Sequence, residues 1–99
     1  MRIVFSARAQ RDLHQLKACI ARESYASRAK SYFDRLLNTC ESLSTFPRRG
    51  MAHDDVLPGL RTIVFEGRTI IAYSVSGDTI RIQAVFHGGQ NWKERLQEG

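Results

Sequence analysis

No stretch of this 99-residue sequence approaches the roughly 18 apolar residues that a membrane span requires, so nothing in it is expected to cross a bilayer. The start, MRIVFSARAQRDL, carries charges at Arg2 and Arg8 and leaves no apolar centre for a signal peptide. A cytoplasmic location is expected. Cysteine is scarce, with only Cys19 and Cys40. On two antiparallel helices turning near Tyr25, Cys19 would lie beside position 31, leaving Cys40 roughly 14 Å away at about 1.5 Å per residue. A disulfide needs Cα atoms within about 7 Å, so two reduced thiols are expected. Two cysteines and the scattered His14, His53 and His87 also fall short of a zinc site, and no cofactor or metal is expected.

Lysine is scarce too. Arginine supplies twelve of the fifteen cations behind the net charge of +5, and residues 1–50 carry ten positive against four negative groups. Arginine forks suit phosphates and carboxylates, which points to a nucleic acid or an acidic protein as partner before a neutral ligand. With 42% hydrophobic and 25% charged residues, the composition is that of an ordinary globular chain. The length suits one domain over residues 1–99, with residues 88–99 as a flexible tail or short helical turn.

Arg2-Ile3-Val4-Phe5 reads as a strand, closed by Ser6, a residue suited to cap a helix. Ala9, Leu13, Leu16 and Ile20 then fall on one helical face. After Glu23-Ser24-Tyr25 a second helical stripe runs through Ala29, Phe33, Leu36, Cys40 and Leu43, and Pro47 is expected to stop it. The short link makes the two helices antiparallel neighbours whose stripes must be buried against a sheet.

Residues 48–58 read as a polar loop, and the rest is β in character. Residues 60–65 and 68–76 are strands joined by Glu66-Gly67, which suits a tight hairpin. In the strand over 78–87, Ile80, Ile82, Ala84 and Phe86 alternate against Arg81, Gln83, Val85 and His87. The expected class is α+β: a helical hairpin on one face of a mostly antiparallel four-stranded sheet, in the order β-α-α-β-β-β. The first strand could pair beside either end of the meander.

Particular residues now coincide with that order: Ser6-x-x-Ala9 before Arg11-Asp12-Leu13, then Leu43-x-x-Phe46-Pro47, Gly59-Leu60-Arg61, Ile71-Ala72-Tyr73 and Val85-Phe86-His87-Gly88. In these the sequence resembles the RelE/ParE superfamily of bacterial type II toxin–antitoxin toxins, closest to its ParE branch. The resemblance implies a small cytoplasmic toxin that inhibits DNA gyrase, with DNA as a further contact, and that a cognate ParD-like antitoxin holds inactive. The RelE branch implies instead a ribosome-dependent messenger-RNA endonuclease, with the ribosome and messenger as partners. A third reading is a non-toxic interaction module that binds an acidic antitoxin through a sheet edge or a groove beside the helices.

RNA cleavage needs a group to activate the 2′-hydroxyl, a cation for the phosphate and an acid for the leaving oxygen. Arg61, Arg81 and His87 could be cast in those roles. Gly88-Gly89-Gln90-Asn91 stands directly after His87, where nuclease members often carry a tyrosine or second basic group, and no lysine lies between Lys30 and Lys93, so the nuclease set is incomplete. Arg61, Arg81, His87 and Trp92 are therefore the candidate target-binding residues, and no catalytic residue is assigned. The bland alternatives are a sheet anchor paired with Glu66, Asp54 or Asp55 for Arg61, a solvated strand position for Arg81, a strand-end histidine for His87 and a core plug for Trp92.

Overall fold

The computed structural model describes residues 2–23, 26–88 and 91–98. Strand β1 (Arg2–Phe5) leads into α1 (Ala7–Glu23), and α2 (Ala26–Ser42) returns beside it. Ser6 caps α1 as its type suggests: the Ala9 N–H donates to Ser6 Oγ at 3.0 Å, satisfying one of the orphan donors of the first turn. The same hydroxyl donates to the Gln83 carbonyl at 2.7 Å, so the cap also ties the helix start to the sheet. Helix α2 ends at Ser42, ahead of Pro47, in tight turns that begin with the Leu43 N–H on the Cys40 carbonyl.

Five strands form one sheet in the order β1-β5-β4-β3-β2, comprising β2 (Met51–Ala52), β3 (Leu60–Phe65), β4 (Thr69–Ser76) and β5 (Thr79–His87). The expected class holds, but the strand count rises from four to five. The added β2 pairs only Met51 with Thr62 and Ala52 with Arg61, too short a run to show any side-chain period in sequence. Strand β1 lies parallel to β5, Arg2 opposite Thr79 through Phe5 opposite Ile82, which settles its end of the meander. The other neighbours are antiparallel.

The helical stripes are buried as their spacing requires. Ala9, Leu13, Leu16, Leu36, Cys40 and Leu43 meet Ile63, Phe65, Ile71, Tyr73, Ile80 and Ile82 of the sheet. No disulfide joins Cys19 to Cys40, and burial pushes the Cys40 thiol up to about 12, the behaviour of an inert core residue.

The expected strict alternation along β5 fails at one place. Ala72 pairs with Ala84 but Tyr73 pairs with Ile82, so Gln83 is an extra residue without a place in the β4 ladder, its side-chain Nε2 donating to Ser74 Oγ at 2.9 Å. This bulge reverses the faces beyond it. Val85 joins Ile80 and Ile82 under the helices, while Ala84 and Phe86 turn to the other side. There they form a second small core with Leu60 and Ala72, covered by Val56 and by α3 (Trp92–Glu98) through Trp92 and Leu96.

Strand β1 covers β5 only as far as Ile82. Beyond it, Asp12 Oδ2 accepts the Val85 N–H at 3.0 Å, so a carboxylate from α1 closes the edge that β1 leaves open. Among the described residues no helix is long and apolar enough to cross a membrane.

Candidate functional site

Arg61 is the second residue of β3 and shares its face with Ile63 and Phe65. Its Nη1 donates to the carbonyls of Arg48 at 3.0 Å and Gly50 at 2.8 Å. Of the carboxylate partners considered from sequence, Glu66 and Asp54 are occupied elsewhere, and Asp55 makes no ion pair with Arg61 among the described residues. Glu66 accepts both Nε and Nη2 of Arg35, at 2.8 and 3.1 Å, and Asp54 Oδ1 accepts the Gly59 N–H at 2.8 Å. Arg61 is thus an anchor, but for a backbone segment rather than an acid.

Tyr73, directly opposite Arg61 on β4, completes that anchorage. Its fully buried hydroxyl donates to the Pro47 carbonyl at 2.9 Å and accepts the Gly50 N–H at 3.1 Å. Gly50 has no room for a side chain: a Cβ there would stand 2.7 Å from the Thr62 carbonyl oxygen and 2.8 Å from Tyr73 Oη. Arg61, Tyr73 and Gly50 therefore pin the chain between α2 and β2 against the sheet.

Arg81 follows Ile80 and precedes Ile82, both under the helices, so its exposed side chain points to the opposite face from Arg61. His87 closes β5 at the far end from the Arg61 anchor. The three residues named for RNA cleavage are thus spread over two faces and both ends of the sheet. Trp92 stands half-buried on the second core, edge-on to His53 with ring centroids 4.6 Å apart.

Around His87 the structure gathers residues that the sequence reading passed over. His87 Nδ1 lies 2.9 Å from the hydroxyl of the fully buried Thr69, which also bonds the Tyr32 hydroxyl. The Thr69 hydroxyl thus links the Tyr32 hydroxyl to the His87 ring, with the direction of each hydrogen bond set by the imidazole tautomer. The Tyr32 ring also meets Phe65 edge-on at 5.2 Å and carries the Arg35 guanidinium at 5.7 Å, so it is held on several sides.

Tyr32 and His87 border a cavity of about 380 Å³ that Arg28, Arg68 and the Arg35–Glu66 pair also line. The hairpin turn places Arg68 there. Glu66 (φ 49°) and Gly67 (φ 71°) both adopt left-handed backbone, and the Arg68 N–H closes the turn on the Phe65 carbonyl. Phe65 then pairs with Thr69, so Arg68 stands outside the ladder, where its carbonyl accepts the Gly88 N–H at 3.0 Å.

Within the Arg35–Glu66 pair, the bidentate hydrogen bonds hold the Glu66 carboxyl below its ordinary range and raise the Arg35 guanidinium. Arg28 and Arg68 make no ion pair among the described residues. Beside an imidazole, two such guanidinium groups suit a phosphate. The signal that could have found them was the length of the β4–β5 meander, which sets Thr69 opposite His87.

A family model described as the ParE toxin of the type II toxin–antitoxin system parDE matches residues 3–92. No curated protein sequence matches the chain. Among solved structures, a chain from the chromosomal ParDE toxin–antitoxin system of P. aeruginosa superposes with a TM-score of 0.76 at 18% identity, covering 89% of this chain and 96% of that one. At that identity the likeness speaks for the fold.

Proposed function

The chain belongs to the ParE toxin family of type II toxin–antitoxin systems, and on that premise we propose that it inhibits DNA gyrase by binding and that a ParD-like antitoxin neutralises it. One observation carries the preference for binding over cleavage: the residues that RNA cleavage would recruit are dispersed. Arg61 is committed to the Arg48 and Gly50 carbonyls, Arg81 faces the other side, and His87 is at the opposite end. A transition state needs its cation and its acid or base around one phosphate.

For the antitoxin, the fold offers an apolar groove of about 560 Å³ where Ile3 and Phe5 of β1 meet Leu13 of α1 and Phe33 and Leu37 of α2. Lys17, on the rim, lies 5.4 Å from the centre of the Phe33 ring. Such a groove suits an amphipathic helix with acidic residues beside its apolar stripe.

A second reading, a ribosome-dependent messenger-RNA endonuclease, is favoured by the cavity at His87, where Arg68 and Arg28 stand beside an imidazole. One paired assay separates the two. Purified toxin is added to gyrase supercoiling and to a coupled translation mixture. The gyrase reading predicts blocked supercoiling with intact messenger; cut messenger with normal supercoiling would replace it with the nuclease reading.

A further inference from the structure

The net charge is concentrated along one side of the molecule. A second cavity, of about 560 Å³, runs between α1 and the end of β5, with Arg8, Asp12, Gln15 and Arg22 of α1 on one wall and Arg95 of α3 at the rim. His87 lines this cavity and also the one that holds Arg28 and Arg68, so the two adjoin and form one trough. Counting the Arg8–Asp12 and Arg35–Glu66 pairs, the trough carries a formal charge of +4, against +5 for the whole chain.

We propose that this trough binds the phosphate backbone of duplex DNA. Three observations select that occupant. First, the cations are all arginine, whose planar forks suit phosphates. Arg22 stands on α1, Arg28 on α2, Arg68 in the turn between β3 and β4 and Arg95 on α3, a spread over four elements that suits successive phosphates of a backbone rather than a single carboxylate. Second, an acidic strand cannot extend the sheet here, because Asp12 already takes the Val85 N–H at 3.0 Å and would repel an acidic segment. Third, unpaired bases need open aromatic faces, and the rings in the trough are engaged, with His87 edge-on to Tyr32 at 6.2 Å. Arg8 lies over Phe86 at 5.2 Å, and Arg35 lies over Tyr32.

Arg22, Arg28, Arg68 and Arg95 remain exposed and make no ion pair among the described residues. They are the groups that would meet phosphates. The proposal rests on the gyrase reading only for the purpose of the contact, since gyrase handles duplex DNA; the contact itself is tested without gyrase.

The experiment is fluorescence anisotropy of a short labelled DNA duplex titrated with the full-length toxin over a series of salt concentrations. Four neutralised phosphates predict a slope of log K against log salt of about −3 to −4. The double variant Arg22→Ala/Arg68→Ala should flatten that slope by about two with an unchanged thermal melt. The control Arg48→Ala/Arg49→Ala, outside the trough, should leave it unchanged. Absence of duplex binding at low salt would overturn the proposal, as would an equal loss in the control or an unaltered slope in the double variant. Equal affinity for single strands would remove the duplex assignment, and equally effective competition by polyglutamate would show a site for any polyanion. Because gyrase is absent, failure here leaves the supercoiling result to stand or fall separately.

Discussion

Arg61 and Arg68 are seven residues apart on one hairpin, yet they end in opposite circumstances. Arg61 is buried in duties: it holds two carbonyls of the connection between α2 and β2, beside a tyrosine that holds a third. Arg68 stands outside the ladder at a cavity rim, its guanidinium exposed beside His87. The same residue type is a fastener at one end of the sheet and an open cation at the other. What decides is which backbone groups lie within reach, since the connection brings bare carbonyls to Arg61 and the turn at Glu66-Gly67 lifts Arg68 clear.

That comparison can be broken from the pinned end first. Gly50→Val forces side-chain atoms against the Thr62 carbonyl and Tyr73 Oη, and should cost about 3 kcal/mol in a denaturant titration. Arg61→Ala removes two charge-assisted hydrogen bonds and should cost about 2 kcal/mol, with the midpoint shifting and the slope unchanged. Tyr73→Phe keeps the packing but leaves the Pro47 carbonyl and Gly50 N–H unpaired, for about 1 kcal/mol or slightly more.

The open end should respond weakly in stability. Hydrogen bonding to Arg35 lowers the folded-state pKa of Glu66, so its contribution is fully present above the unfolded carboxylate value of about 4.3. It is lost as pH falls through the lowered folded value. The pair is solvent-exposed, so the shift in melting temperature should be small and should shrink further with added salt. A large acid-side shift that Arg35→Ala abolishes would mean that the pair is far better shielded than its exposure implies. Arg68→Ala should change stability least, by within about 0.5 kcal/mol.

Much of the fold was legible. The stripes Ala9-Leu13-Leu16 and Leu36-Cys40-Leu43 declare their faces by spacing, and Ser6 declares the helix start. The partner of β1 was not, because its contact with β5 joins residues about 77 positions apart and leaves no local trace. The Gln83 bulge was hidden for another reason. Ala84 and Phe86 remain apolar after the faces reverse because a second core waits on the other side. The pattern looks continuous while its meaning changes.

The site was less legible still. Reading for chemistry singled out His87 together with Arg61 and Arg81, whereas the cavity joins His87 of β5 to Arg28 from α2 and Arg68 from a turn. The register of β4 on β5 brings Arg68 beside His87, and the packing of α2 on the sheet adds Arg28.

The most direct measurement is gyrase supercoiling inhibition by the wild type, Arg61→Ala and Arg68→Ala, each referred to its folded fraction under the assay conditions. The account predicts that per folded molecule Arg61→Ala inhibits as the wild type does, while Arg68→Ala is fully folded and inhibits markedly less. Full inhibition by Arg68→Ala, together with its loss in folded Arg61→Ala, would contradict it and move the working surface to the end of the sheet assigned here to structure.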